Sequence, residues 1–307
     1  MPRILVTGAA GLIGRQLVPQ LHQAGYEVHA IVHRTEPPDD LRAFATWHPA
    51  DLLSTASRSA VVQSVSAEYL LHLAWPALVE SLNSGIHQTF LEASRALARE
   101  FYLAGGARAV VAGTCFEYDW SDGLCVEDRT ALKPSTVYGA SKDQLRQYLG
   151  SLAREMDRSW AWGRVFFVHG PHQSPTRFVP AVIQGLLERR PVPCTEGYQI
   201  RDYLHTFDVA AAFVRLLESG YDGTCNIGSG EAVSLREIAG HIADGVGGRE
   251  LLQFGARATP KGEPPVILAD VHRLRNTVGW SPRYSLAAGL AHTVAAYQHE
   301  KHEAPLV

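Results

Sequence analysis

The sequence predicts an α/β fold, a doubly wound parallel sheet with a smaller C-terminal part, on three observations. Short apolar runs that read as buried strands alternate with longer amphipathic patterns through the first half, the alternation that builds parallel βα units. The first run, Ile4-Leu5-Val6, opens into glycines spaced three apart, Gly8, Gly11 and Gly14. After residue 168 Pro171, Pro175, Pro180, Pro191 and Pro193 cut the chain into shorter pieces.

Each glycine has its own task. Gly8 allows a tight turn out of the strand, Gly11 lets a backbone approach a pyrophosphate, and Gly14 lets the next helix lie close to the sheet. That helix, carrying Leu12, Ile13, Leu17, Val18 and Leu21, points free N–H groups at the turn. A dinucleotide is the ligand this predicts. The first part, 1–168, reads as its Rossmann-type domain; 169–307 reads as mainly substrate-binding, with some segments returning to the first.

Along the chain, strands are expected over 27–32, 47–51, 69–73, 109–112 and 162–168, with long helices over 80–104 and 137–156. Shorter helices are expected over 178–189, 207–218, 234–244 and 285–299, strands over 223–227 and 250–254, and a frayed tail after Lys301. Composition narrows the partners. Of 307 residues 46% are hydrophobic and 19% charged, with a net charge of −3, which suits an ordinary globular protein and disfavours nucleic acid and anionic membrane. Cys115, Cys125, Cys194 and Cys225 form no CxxC pair, so no zinc site and a reducing, cytoplasmic setting are expected.

The chemistry is carried by Tyr138-Gly-Ala-Ser-Lys142. Tyrosine and lysine four apart share a helix face, where an ammonium can lower the phenol pKa. Such a phenol can pass a proton to or from a substrate oxygen while hydride moves at carbon. Thr114, at the end of a strand, adds a hydroxyl.

With these residues the chain resembles the extended short-chain dehydrogenase/reductase family, in its nucleotide-sugar reductase and epimerase branch. The resemblance runs through Thr7 to Gly14, Asp51-Leu52, His72-Leu-Ala74, Asn83, Gly113-Thr114, Tyr138 to Lys142, Arg201-Asp-Tyr-Leu-His205 with Asp208, Asn226 to Gly230, and Gly279-Trp280-Ser-Pro282. It implies Tyr138 as acid/base, Lys142 also on the nicotinamide ribose, and Thr114 on the reacting oxygen. It implies Gly8, Gly11, Leu12, Ile13 and Gly14 at the cofactor phosphates, Asp51 and Leu52 at adenine, and Ala74 on the phosphate side. Substrate would meet Trp75, Cys115, Phe116, Phe167, Arg177 and Arg201, the last with a guanidinium fork suited to a diphosphate. A homodimer through the helices at 80–104 and 137–156 is typical of the family.

Plainer readings stand beside these. Asp51 can be a helix cap, Asn83 can satisfy a local backbone group, and His72 in an apolar strand reads as a satisfied core histidine. His169 and His172 lie in a turn without a third ligand, so no metal is expected. Arg201 and Asp202 can simply pair with each other.

Relatives that prefer NAD carry an acidic residue at the end of the second strand. Here Val32 is followed by His33-Arg34, which favours NADP(H), NAD(H) remaining possible. Dehydratases of the family place Asp-Glu after the threonine, but this chain has Cys115-Phe116, with Glu117 one place on and pointing elsewhere. Elimination is therefore disfavoured. Reduction of a 4-keto-6-deoxy nucleotide sugar is the expected activity, with a 4-epimerase retaining NAD as the alternative. Phe167, where many epimerases have a diphosphate-binding asparagine, weakens that alternative. A catalytically silent cofactor sensor would be expected to lose Tyr138 or Lys142, and both are present.

Overall fold

The computed structural model describes residues 1–33, 36–76 and 82–303. At its centre lie seven parallel strands: β1 (Arg3–Thr7), β2 (Glu27–Val32), β3 (Thr46–Pro49), β4 (Tyr69–His72), β5 (Arg108–Thr114), β6 (Ser159–Val165) and β7 (Gly223–Ile227). Their spatial order is β7-β6-β5-β4-β1-β2-β3. The chain steps outward from β1 to β3, then crosses to the other side of β1 to make β4. The order reverses there, and a crevice opens beyond the strand ends, where folds of this kind take their ligands.

The helices are α1 (Gly14–Gln23), α2 (Thr55–Val65), α3 (Ile86–Leu103), α4 (Val137–Glu155), α5 (Phe178–Leu187), α6 (Thr206–Glu218), α7 (Leu235–Val246), α8 (His272–Asn276) and α9 (Leu286–Glu303). Side chains alternate across a strand, so both sheet faces are built from consecutive residues. Ile4 and Val6 join Val110 and Ala112 in the core under α1 and α6, with Leu17, Val18, Leu21 and Phe213. Leu5 joins Ala109 and Val111 in the opposite core, with Leu91 and Leu97 of α3 and Leu145 and Leu149 of α4. Each buried aliphatic side chain contributes roughly 1.5–3 kcal/mol to holding a layer in place. A third core joins α5, α7 and α9 in the C-terminal part. Among the described residues no helix is long and apolar enough to cross a membrane.

Some elements differ from the sequence reading. Helix α2 was not anticipated: its Ser- and Thr-rich run has little apolar periodicity, yet Ser54 accepts from Ser57 N and Val61, Val62 and Val65 are buried. Helix α3 begins at Ile86, because residues 82–85 form a turn; the expected start at 80–81 falls outside the described residues, as does the chain end after 303. The strand expected over 162–168 divides at Phe166. Phe166 N still bonds Ile227 O of the main sheet, but Phe167 N turns to Asp202 O, and Phe167–His169 pairs instead with Tyr203–His205. In place of a strand over 250–254 there is a tight turn, Arg249–Leu251, and a two-residue strand, Leu252–Gln253, beside Val192–Pro193.

Segment 206–227 returns to the nucleotide side: α6 packs on α1 and β7 extends the sheet. Buried side chains latch the C-terminal loops to it. Asp202 accepts from Ser229 N (2.7 Å), Ser229 Oγ (2.8 Å), Gly230 N (2.9 Å) and Ala269 N (3.3 Å), so it does not pair with Arg201. Asp208 accepts from Arg283 N and Tyr284 N, which ties the Gly279–Pro282 turn to α6. Asn226 donates to Cys125 O and Asp270 O and accepts from Tyr118 OH. Asp202→Ala leaves four buried donors without their acceptor and is expected to cost about 3 kcal/mol in urea unfolding; a loss below about 1 kcal/mol would show that the latch contributes little.

Candidate active site

The turn after β1 has the shape the glycines predicted. Gly8 sits at φ +72°, and a Cβ on it would lie 2.7 Å from Ala74 N. A Cβ on Gly14 would run into the carbonyl oxygens of Gly8 and Ala9. Gly11 N donates to Gly8 O (3.0 Å), while Leu12 and Ile13 N–H have no acceptor among the described residues. Two open donors at the start of a ten-residue helix fit a dinucleotide pyrophosphate. The crossing is closed from the other side by Thr7, whose Oγ1 accepts from Ala74 N (3.2 Å) and shares a 2.6 Å hydrogen bond with His72 Nδ1. His72 Nε2 reaches Ser94 Oγ at 2.9 Å, so this is a satisfied core histidine. Burial lowers its pKa to about 3.

Helix α4 brings the tyrosine and lysine to the same crevice. Thr136 caps it by accepting from Gly139 N, and Asn83 Oδ1 and Leu82 O accept from Val137 N and Tyr138 N. Asn83 thus satisfies a backbone group, but on an element 54 residues away. Gly139 is required where helix and turn meet, since a Cβ there would strike Phe116 O. The Thr114 side chain lies close enough to the Tyr138 phenol to lower its pKa. Lys142 is buried, donates to Ala112 O (2.8 Å) and lies 4.0 Å from the Trp75 ring centroid, a contact worth about 2 kcal/mol when desolvated. Trp75 Nε1 in turn donates to His87 Nδ1 (3.0 Å), and the His87 ring stands 5.3 Å from that of Tyr138.

The electrostatics depart from the sequence reading in one respect. Burial pushes the Tyr138 phenol above its ordinary range, with the Thr114 side chain opposing and the nearby Cys115 and Glu117 adding to the rise. The lowering expected from Lys142 is absent: the influences that oppose desolvation here are Thr114 and the Arg177 charge. The same burial lowers Lys142 to about 7, and the Glu117 charge is what resists it.

Comparison with known proteins places the chain in a family. The model of the NAD dependent epimerase/dehydratase family matches residues 4–228. The chain belongs to this family. It is an enzyme of the extended short-chain dehydrogenase/reductase type. The UDP-glucose 4-epimerase of Azospirillum brasilense is 26% identical, over 97% of this chain and 92% of that protein. A dTDP-4-dehydro-6-deoxy-D-allose reductase from Streptomyces sp is also 26% identical, over 97% of each. Among solved structures, MoeE5 in complex with UDP-glucuronic acid and NAD is 29% identical with a TM-score of 0.84, covering 97% of this chain and 99% of that one.

The remaining residues expected from the family pattern are placed unevenly. His33, the first exposed residue after β2, lies 3.6 Å from Asp51; Val32 before it is buried. Arg34 lies outside the described residues. Asp51 accepts from Leu53 N in a turn, and Ser54, not Asp51, caps the next helix. Leu52 packs at the edge of the core and its carbonyl accepts from Arg58. A cleft of about 560 Å³ beside the glycine turn is lined by Ala10, Arg15, Glu36, Pro38, Asp39 and Asp40, three of them acids.

On the substrate side, Phe116 meets the Tyr138 ring at 5.8 Å. The Arg177 charge acts on both Tyr138 and Tyr203. Phe167 lies under the Arg201 guanidinium, 5.5 Å away. Arg201 is 2% exposed and its guanidinium is engaged by Glu263, so a diphosphate reaching it must displace that carboxylate. Cys115 is buried in the core at 2% exposure, and the sequence reading missed His87 and Glu263. Nothing in a linear pattern announces either, since each acts across a fold contact.

Among the described residues no three metal-ligating side chains converge. His169 instead bonds Thr293 Oγ1 at 3.0 Å and faces His205, which touches His292.

Burial lowers His72 and His169 to about 3 and His205 to about 4, below the roughly 6.5 of an unfolded histidine. Their contribution is therefore fully present above pH 6.5 and is lost as pH falls toward the folded values. Urea unfolding at pH 7, 6 and 5 should show a loss of about 2 kcal/mol per histidine by pH 5, and a flat profile would contradict it.

Proposed function

We propose that the chain reduces a 4-keto-6-deoxy nucleotide sugar with NADP(H), Tyr138 acting as proton donor. The observation that carries this reading is the placement of Tyr138 beside Thr114 and of Lys142 one helical turn on, at the crevice beyond the glycine turn. Burial raises the phenol pKa, which suits a group that gives a proton to a carbonyl oxygen. Epimerisation opens with the opposite demand, a base that takes a proton from a hydroxyl. When bound, the reduced nicotinamide supplies the hydride and carries no ring charge that would draw the phenol proton away. Thr114 orients the carbonyl oxygen, Tyr138 protonates it, and Lys142 holds the nicotinamide ribose and a positive charge beneath the site. Leu12, Ile13 and Ala74 meet the cofactor phosphates. Trp75, Phe116, Phe167, Arg177 and Arg201 form the substrate side. The reductase from Streptomyces sp supports the reaction class, and a homodimer along α3 and α4 belongs to the same proposal.

His33, with Arg34 beside it in sequence, supports a 2′-phosphate. The second reading, a 4-epimerase with retained NAD, is favoured by Glu36, Asp39 and Asp40 around a cleft beside the glycine turn, since carboxylates accept from ribose hydroxyls, although Arg15 and Arg42 pair with these acids.

NADPH absorbance followed with a panel of nucleotide 4-keto-6-deoxysugars separates the two: reduction consumes cofactor in proportion to substrate, and conversion without consumption indicates epimerisation. Tyr138→Phe is expected to lower kcat by about a thousandfold with NADPH affinity nearly intact; retained turnover sinks the assignment. Replacing His33 by Asp together with Arg34→Ala should move the NADP/NAD preference about tenfold or more toward NAD, and an unchanged ratio would mean that this end does not select the cofactor.

A further inference from the structure

Thr114-Cys-Phe-Glu117 has the spacing of a capping box, a hydroxyl followed three residues later by a carboxylate, and the structure forms one. Glu117 is completely buried. Its Oε1 accepts from Thr114 N (2.9 Å) and Trp162 Nε1 (3.0 Å), and its Oε2 from Arg164 Nε (2.6 Å). Arg164 is fixed further by Tyr118 OH at 3.0 Å. Gly113 makes room for this arrangement, since a Cβ there would collide with the Trp162 indole and lie 2.7 Å from Glu117 Oε1. The carboxylate lies behind the backbone of Thr114, whose hydroxyl accepts from Phe116 N and acts on the Tyr138 phenol.

A buried ion pair is weak evidence of stability alone, because apolar residues of the same volume often do as well. This one is placed where its charge matters. Among the described residues the titratable groups that act on Lys142 or feel its charge are Glu117 on the turn after β5 and His72 on β4, with Tyr138 one turn away on its own helix. His72 is neutral at working pH, which leaves Glu117 as the acid that favours the ammonium.

We infer that Glu117 is a positioning residue of this active site, fixing Thr114 through its backbone N–H and setting a buried carboxylate on the turn that α4, the helix of Tyr138 and Lys142, packs against. The inference rests on the roles proposed above for Thr114, Tyr138 and Lys142. It assigns a task to a carboxylate that cannot itself reach substrate.

Glu117→Gln keeps the shape and an acceptor for Thr114 N but removes the charge. The Glu117→Gln/Arg164→Met double variant removes the stranded guanidinium as well, in case the single change does not fold. Glu117→Asp keeps the charge with altered reach. Two readouts are taken on each folded protein: the titration of Lys142 by 13Cε NMR, assigned with Lys142→Arg, and the pH profile of kcat/KM in the reductase assay. In the Gln variants the Lys142 titration and the alkaline limb of the profile are expected to move together to lower pH, with about a fivefold loss of turnover at pH 7. In Glu117→Asp both stay near their wild-type positions. A folded Gln variant with wild-type titration and an unmoved limb overturns the inference and leaves Glu117 a structural ion-pair partner. If Tyr138→Phe keeps its turnover, the catalytic reading fails, while the Lys142 titration still reports on Glu117.

Discussion

The clasp between the ends of β1 and β4 is the constraint on which the rest of the molecule depends. Thr7 joins His72 and the Ala74 N–H, and Gly8, in a left-handed turn, lets the Ala74 backbone come closer than any side chain would allow. The clasp sets the separation of two strands at the point where the sheet reverses its order. It also aims the open N–H groups of Leu12 and Ile13 and delivers Trp75, the next residue, to the Lys142 ammonium. The glycine turn and the surroundings of Lys142 are thus positioned by one backbone crossing.

Much of what looks catalytic in the sequence is holding the fold together. Asp202, Asp208 and Asn226 saturate their hydrogen bonds with loop backbones, so the strings around them mark where the C-terminal part is latched to the sheet. Arg201 keeps its place beside Phe167 but is occupied by Glu263, which makes access to it a competition between carboxylate and incoming anion.

Burial governs the chemistry. It raises the phenol of Tyr138 and lowers the ammonium of Lys142, so both groups are pushed toward their neutral forms. The sequence pattern Tyr-x-x-x-Lys specifies that the two share a helix face, but not how dry that face is. The buried Glu117 carboxylate, with Arg164 and Trp162 as its partners, offsets part of the cost to the lysine.

Local chemistry was sufficient for the framework. The run Ile4-Leu5-Val6 with its glycines determined β1, the turn and α1, because apolar continuity and missing Cβ atoms act within a dozen residues. Tyr138 and Lys142 were legible for the same reason, being one helical turn apart. Tertiary structure decided what depends on distant partners. Helix α2 exists because three valines find a core, although its own periodicity is poor. The strand expected over 162–168 breaks at Phe166 because Asp202 offers a new partner there. Glu117 had a readable capping-box spacing, but its burial against Arg164 and its reach to Lys142 required β6 to be laid beside β5. Desolvation, the largest influence on both Tyr138 and Lys142, is a property of how the layers close and has no expression in the linear order of residues.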